Sequence, residues 1–152
     1  MERFGPLFEH SPWVAEDAWA NGPFADREAL AQGLEEAMYA APRDRQLALI
    51  RAHPDLAGRA AVEGTLTASS QREQAAAGLD RLTPDEYETF TRTNVAYRER
   101  FGFPLVVCAR EHTKDSILRT AAARLDHSPD EEIGIALGEI AKIARLRLSD
   151  LP

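Results

Sequence analysis

His53 closes the run Arg45-Gln-Leu-Ala-Leu-Ile-Arg-Ala-His-Pro-Asp-Leu-Ala-Gly-Arg59, an apolar helical pattern stopped by Pro54. Its ring shares a face with Leu49 and Ile50, so it emerges from a partly buried surface at a helix end. The negative end of the helix favours the imidazolium and burial favours the neutral ring. Opposed in this way, the two effects place the pKa near neutrality, where general acid-base catalysis works best. A single histidine on such a face is also compatible with a satisfied core side chain. Asp55 is close in sequence, but Pro54 turns the chain between the two.

Two further groups have chemistry in their spacing. Ile133, Ala136, Ile140 and Ile143 form an apolar stripe at steps of three and four, and Arg147 is its next member. An inward guanidinium there requires a carboxylate, from the protein or from an anionic ligand, unless the side chain snorkels to water at the helix end. Arg145 lies about 140° from Ile140 at roughly 100° per residue and is expected to be solvated. Ser70-Gln-Arg-Glu73 has capping-box spacing, in which each side chain bonds the other's backbone N–H. The same helix start also presents N–H groups that hold anions or carbonyl oxygens, so a structural cap and one wall of a polar site are both open readings.

Other chemistries have little support. His10, His112 and His127 lack ligand-type partners at helical spacing, and the single cysteine, Cys108, supports no zinc cluster and no internal disulfide. No metal site is expected. Cys108 follows Val106-Val107 in an apolar run and reads as inert core. Phosphate-binding glycine loops and dinucleotide fingerprints are absent. A net charge of −7, with basic residues interleaved among acidic ones, argues against nucleic acid.

These residues must be positioned by helices. The chain has 152 residues, enough for one domain with a real core, and residues 1–152 are read as a single domain. No stretch approaches the ~20 apolar residues of a membrane span, and the N-terminus lacks the pattern of a secretion signal. With one cysteine, that favours the cytoplasm. Ser11-Pro12 opens a short amphipathic segment with Trp13 and Trp19, and Gly22-Pro23 breaks it before Asp26 caps a run to Tyr39. Pro42 marks the next start, and the stretch holding Gly58 and Gly64 reads as loop or short helix. Thr83-Pro-Asp-Glu86 precedes a helix carrying Tyr87, Phe90, Tyr97 and Phe101, and Ser128-Pro-Asp-Glu131 precedes a long last helix to Leu148. Only Phe103-Pro-Leu-Val-Val-Cys108 looks β-like, and periodicity does not separate a strand from an extended loop or buried helix start in so short a run. One such run makes no sheet, so the expected fold is all-α, a bundle of six to eight helices.

Read together, His10-Ser-Pro-Trp-Val-Ala-Glu16, Arg51-Ala-His-Pro-Asp-Leu-Ala-Gly58, Ser70-Gln-Arg-Glu-Gln74, Phe101-Gly-Phe-Pro-Leu-Val-Val107 and Ile143-Ala-Arg-Leu-Arg-Leu148 resemble the 2-oxo-4-hydroxy-4-carboxy-5-ureidoimidazoline (OHCU) decarboxylases, over nearly the whole chain. The resemblance implies an all-α homodimer that uses no cofactor and releases carbon dioxide from a small ureidoimidazoline to give (S)-allantoin in the third step of urate degradation. It implies His53 and Glu73 as catalytic residues. It also implies Pro54, Ser70, Gln71, Gln74 and Arg147 as substrate contacts, with Leu105, Val107 and Ala109 contributing from the segment after Pro104. Leu105 stands where many members carry Phe. On this reading Glu73 and Gln74 hold hydroxyl and N–H groups, Ser70 fixes ring carbonyls, and Arg147 neutralises a ligand oxygen. A helical module that binds a ureide without turnover, or a lyase for another small heterocycle, are the rival readings.

Overall fold

Side chains that accept from the free N–H groups of a first turn set most helix starts in this chain. The structure, a computed structural model, describes residues 4–58 and 64–151, and among these the chain forms seven α-helices and no strand. They are α1 (Trp13–Trp19), α2 (Arg27–Ala40), α3 (Arg43–Arg51), α4 (Ala68–Ala76), α5 (Pro84–Phe101), α6 (Lys114–Arg124) and α7 (Pro129–Ser149), with 3-10 turns at Gly5–Leu7 and Ala109–Glu111. Asp26 accepts from Ala29 N–H at 2.8 Å, and reciprocal capping boxes form at Thr83/Glu86 and Ser128/Glu131. A further box, Thr113/Ser116, has serine where the sequence pattern looks for Glu or Gln. The segment between Gly58 and Gly64, expected as loop or short helix, falls on residues 59–63, outside the described residues.

The expected box at Ser70 and Glu73 does not form. Thr67 is the cap of α4, its hydroxyl accepting from Ser70 N–H at 3.2 Å, so Ser70 already lies in the first turn. Shifting the start by three residues releases both side chains from capping and points them inward.

α7 runs through the core. Ile133, Ala136, Ile140, Ile143 and Arg147 are all buried, as the stripe predicts, and the helix packs on α2, α3 and the first 3-10 turn. Leu34 and Met38 of α2, Leu49 and Ile50 of α3, Phe90 and Tyr97 of α5 and Ile117 of α6 complete a shared apolar interior. Each such aliphatic side chain contributes about 1.5–3 kcal/mol of burial. In α2 a Cβ at Gly33 would lie 2.5 Å from the Phe24 ring, so glycine lets that ring seat on the helix. Arg145 is not simply solvated. Its guanidinium pairs with Glu35 and with Glu28 of α2, binding the outer face of α7 to α2.

The β-like run is a buried strap with no strand partner among the described residues. α5 ends at Gly102, whose φ of +80° suits a residue without Cβ, and Phe103 to Cys108 then run buried, with neither helix nor strand, to the second 3-10 turn. The strap is tied from beneath. Arg124 Nη1 donates to Val106 O at 2.7 Å and Arg124 Nε to Glu132 Oε1 at 2.7 Å, while the Tyr97 hydroxyl donates to the same carboxylate at 2.5 Å. His127 Nδ1 lies 2.8 Å from Glu132 Oε2, so a fully buried carboxylate is met on both oxygens.

Candidate functional site

His53 sits two residues past the end of α3 and is buried. Its Nδ1 lies 3.0 Å from Leu49 O. A carbonyl only accepts, so Nδ1 carries the hydrogen and Nε2 is left with a lone pair. Nε2 is buried and has no hydrogen-bond partner among the described residues. Burial lowers the ring pKa from 6.5 to about 4, against the opposing pull of the Leu49 carbonyl and the Glu9 charge. The expected value near neutrality is therefore corrected: desolvation outweighs the helix end, and the resting ring is neutral. Asp55 does not orient the ring, because its Oδ1 accepts from Arg98 Nε at 3.0 Å.

Opposite His53, α4 and α7 bring Glu73 and Arg147 together. Arg147 Nε and Nη2 donate to the two Glu73 oxygens at 2.9 and 2.7 Å, a bidentate pair. Nη1 donates to Pro6 O at 3.1 Å and Glu9 Oε1 at 3.3 Å, and Nη2 reaches Ser70 Oγ at 3.4 Å. A guanidinium has five N–H donors, and all five are spent on protein. Burial opposes the charge, but Glu73 and Glu9 outweigh it and raise the Arg147 pKa. Of the two partners foreseen for an inward Arg147, the protein's own carboxylates are present.

Gln74 serves the His53 turn. Its Oε1 accepts from Ala57 N–H at 2.9 Å and its Nε2 donates to Asp55 O at 3.3 Å. Asn94 of α5 adds a bond from Nδ2 to Leu56 O at 2.9 Å. Between these supports Ala57 adopts φ of +54°, a left-handed conformation that costs a residue with Cβ and persists where its surroundings fix it.

A small cavity of about 30 Å³ is lined by His53, Pro54, Ser70, Glu73, Gln74, Leu105, Val107, Ala109 and Arg147. Leu56, Val106 and Ile143, which the sequence reading did not assign, line it as well, and of the assigned residues one is missing. Gln71 is exposed and lines a separate cleft with Leu79 and Tyr87, because it sits about 100° around α4 from Ser70. Among the described residues, no hydrogen bond is made by the N–H groups of Leu105, Val106, Val107 or Ala109, so the strap has main-chain donors to offer a ligand. No group of three His, Cys, Asp or Glu among the described residues is placed to hold a metal ion. Burial pushes the Cys108 thiol up to about 11, which fits an inert side chain.

The sequence reading missed Glu9. It is buried, accepts from the Ser70 hydroxyl at 2.5 Å and the Thr67 hydroxyl at 2.9 Å, and contacts Arg147. Its only local signal is its place immediately before His10-Ser-Pro-Trp, since an isolated Glu ahead of a short helix shows no periodicity. Asn94 was also missed, though it lies midway between Phe90 and Tyr97 on the buried face of α5.

A neutral imidazole whose Nε2 has no partner among the described residues, a carboxylate clamped by arginine and unbonded main-chain donors thus border one small cavity enclosed by helices. The chain belongs to the OHCU decarboxylase family, whose family model matches residues 1–149. It is 44% identical over 150 residues to 2-oxo-4-hydroxy-4-carboxy-5-ureidoimidazoline decarboxylase of Haloferax volcanii, covering 99% of this chain and 87% of that protein. The mouse protein of the same name is 45% identical over 151 residues, covering 99% and 85%. A crystal structure of OHCU decarboxylase in the presence of (S)-allantoin shares the fold at a TM-score of 0.79 and 21% identity, covering 98% of this chain and 96% of the other.

Proposed function

We propose that this chain, as a single domain, decarboxylates OHCU to (S)-allantoin in the third step of urate degradation, with His53 as the acid-base group. The observation that carries this reading is His53 Nε2, a buried basic nitrogen with no partner among the described residues, on a side chain that lines the cavity together with Glu73. Membership of the family supports the substrate.

Loss of carbon dioxide from a carboxylate leaves an electron pair, which the unsaturated ring of the substrate accepts to give an enol. Nε2 takes the hydroxyl proton, and the resulting imidazolium returns a proton to carbon on one face. Because an anion is converted to a neutral product, one further proton is drawn from solvent in each turnover. The strap N–H groups stabilise negative charge on the ligand, while Pro54 and Leu105 shape the wall. Arg147 acts through Glu73, which it holds in place with both oxygens directed. The enzyme works as a homodimer in the cytoplasm without a cofactor, and light scattering of the purified protein tests the dimer.

The test is circular dichroism with carbon NMR on OHCU generated from urate by urate oxidase and the following hydrolase. Rapid growth of an (S)-allantoin signal with this protein, lost in a folded His53→Ala variant, is the expected result. Unchanged slow decay to racemate would leave a ureide-binding module or a lyase for another heterocycle.

A further inference from the structure

We propose that Glu9 is a positioning and specificity residue: it takes the Ser70 proton in a hydrogen bond, so that Ser70 meets the ligand only as an acceptor and reads an N–H group. This rests on the reading of the cavity as a site for a ureidoimidazoline, and it reverses the expectation that Ser70 donates to ring carbonyls.

The direction of each bond follows from what the groups can do. Thr67 Oγ1 accepts Ser70 N–H, and its own hydrogen goes to Glu9 at 2.9 and 3.2 Å. Arg147 only donates, and it approaches both Glu9 and Ser70 Oγ. Among the described residues the Ser70 hydroxyl therefore has one acceptor, Glu9 Oε2 at 2.5 Å, which leaves its oxygen with lone-pair capacity for a ligand in the cavity that Ser70 lines. Burial works to raise the Glu9 pKa, but the Ser70, Arg147 and Thr67 contacts outweigh it and lower the value, which keeps Glu9 an acceptor on every side.

The backbone around Glu9 is built to hold it. Ser11 Oγ donates to Glu9 O at 2.9 Å, and Ser11 N–H closes a turn on Phe8 O at 3.1 Å. Between them His10 adopts φ of +48°, an unusual conformation for a residue with Cβ, and Phe8 on the other side is buried. A turn locked at both ends thus delivers one carboxylate beneath Ser70. A ureidoimidazoline has several N–H groups, and a carbonyl turned toward Ser70 would meet lone pairs instead of a hydrogen.

Glu9→Gln keeps the shape and the Arg147 contact but puts an amide donor against Ser70, turning the hydroxyl hydrogen toward the cavity. With OHCU generated in situ, Glu9→Gln and Ser70→Ala are each expected to raise KM about tenfold, the effect of one hydrogen bond, and to leave kcat within about twofold. The double variant is expected to be no worse than the worse single variant. Losses that multiply, or that fall on kcat alone, would overturn the proposal. If the wild type fails to turn over OHCU, the functional reading falls, and Glu9 is then judged by calorimetry with (S)-allantoin and its N-methyl derivatives. Methylation at one nitrogen is expected to weaken wild-type binding about tenfold with no added loss in Ser70→Ala. This arm also decides the matter if Glu9→Gln does not fold. No such position, or no binding at all, overturns the assignment.

Discussion

His53 is held by one bond on Nδ1 and is buried, so its protonation state follows from burial more than from any charged neighbour. The folded pKa of about 4 lies below the ordinary 6.5, which fixes the sign of two effects. Activity that needs a neutral ring should hold from neutrality downward and fall as pH passes about 4, and a kcat/KM profile on OHCU measures this. The unfolded chain binds the proton first, so the stability contributed by neutral His53 is fully present above about 6.5 and is lost as pH falls toward 4. Circular dichroism at each pH separates loss of fold from titration of the site. Arg147 behaves differently, because its removal strands Glu73 and Glu9 in the interior. Arg147→Ala should cost about 3–5 kcal/mol in urea denaturation.

At the scale of the element, α4 and the turn after α3 act as a unit. Gln74 holds that turn through Ala57 and Asp55, so Gln74→Leu should leave α4 intact and release the turn. Hydrogen exchange should show faster loss of Ala57 N–H protection with little change in α4, together with lower activity. Six of the seven helices and the inward face of α7 were legible in the sequence, because periodic apolar residues and proline-led caps are local signals, whereas α6 was not placed, its cap at Thr113 lacking both a proline and the Glu or Gln of the pattern. The start of α4 was not, since Thr67 and Ser70 are both good caps and only the tertiary demand of Arg147 and Glu9 on Glu73 and Ser70 separates them. The strap was not legible either. An apolar run of that length serves equally as strand or crossing segment, and what decides it is Arg124, which is distant in sequence. Of the twelve residues that line the small cavity, nine stand at positions the resemblance named, whereas Leu56, Val106 and Ile143 were not among them. Glu9 escaped because its role is set by partners 58 to 138 residues away.

Across the whole molecule, α5, α6 and α7 converge on Glu132 to support the strap that walls the cavity. Arg124→Met removes the bond to Val106 O and leaves a buried carboxylate short of its counter-charge, so a loss of about 3–5 kcal/mol is expected by thermal or urea unfolding. Glu132→Gln in the same background should recover part of that loss, because the unpaired charge is then gone. No helix of the described residues is long and apolar enough to cross a membrane. Cys108 lies in the strap, 1% exposed, with its thiol pushed up to about 11. As the sole thiol it is a built-in clock for the wall of the cavity: a thiol reagent gains access to it only in the fraction of time the strap is lifted. Labelling of the native protein should therefore be slow, should report the frequency of that opening directly, and should slow further when (S)-allantoin occupies the site.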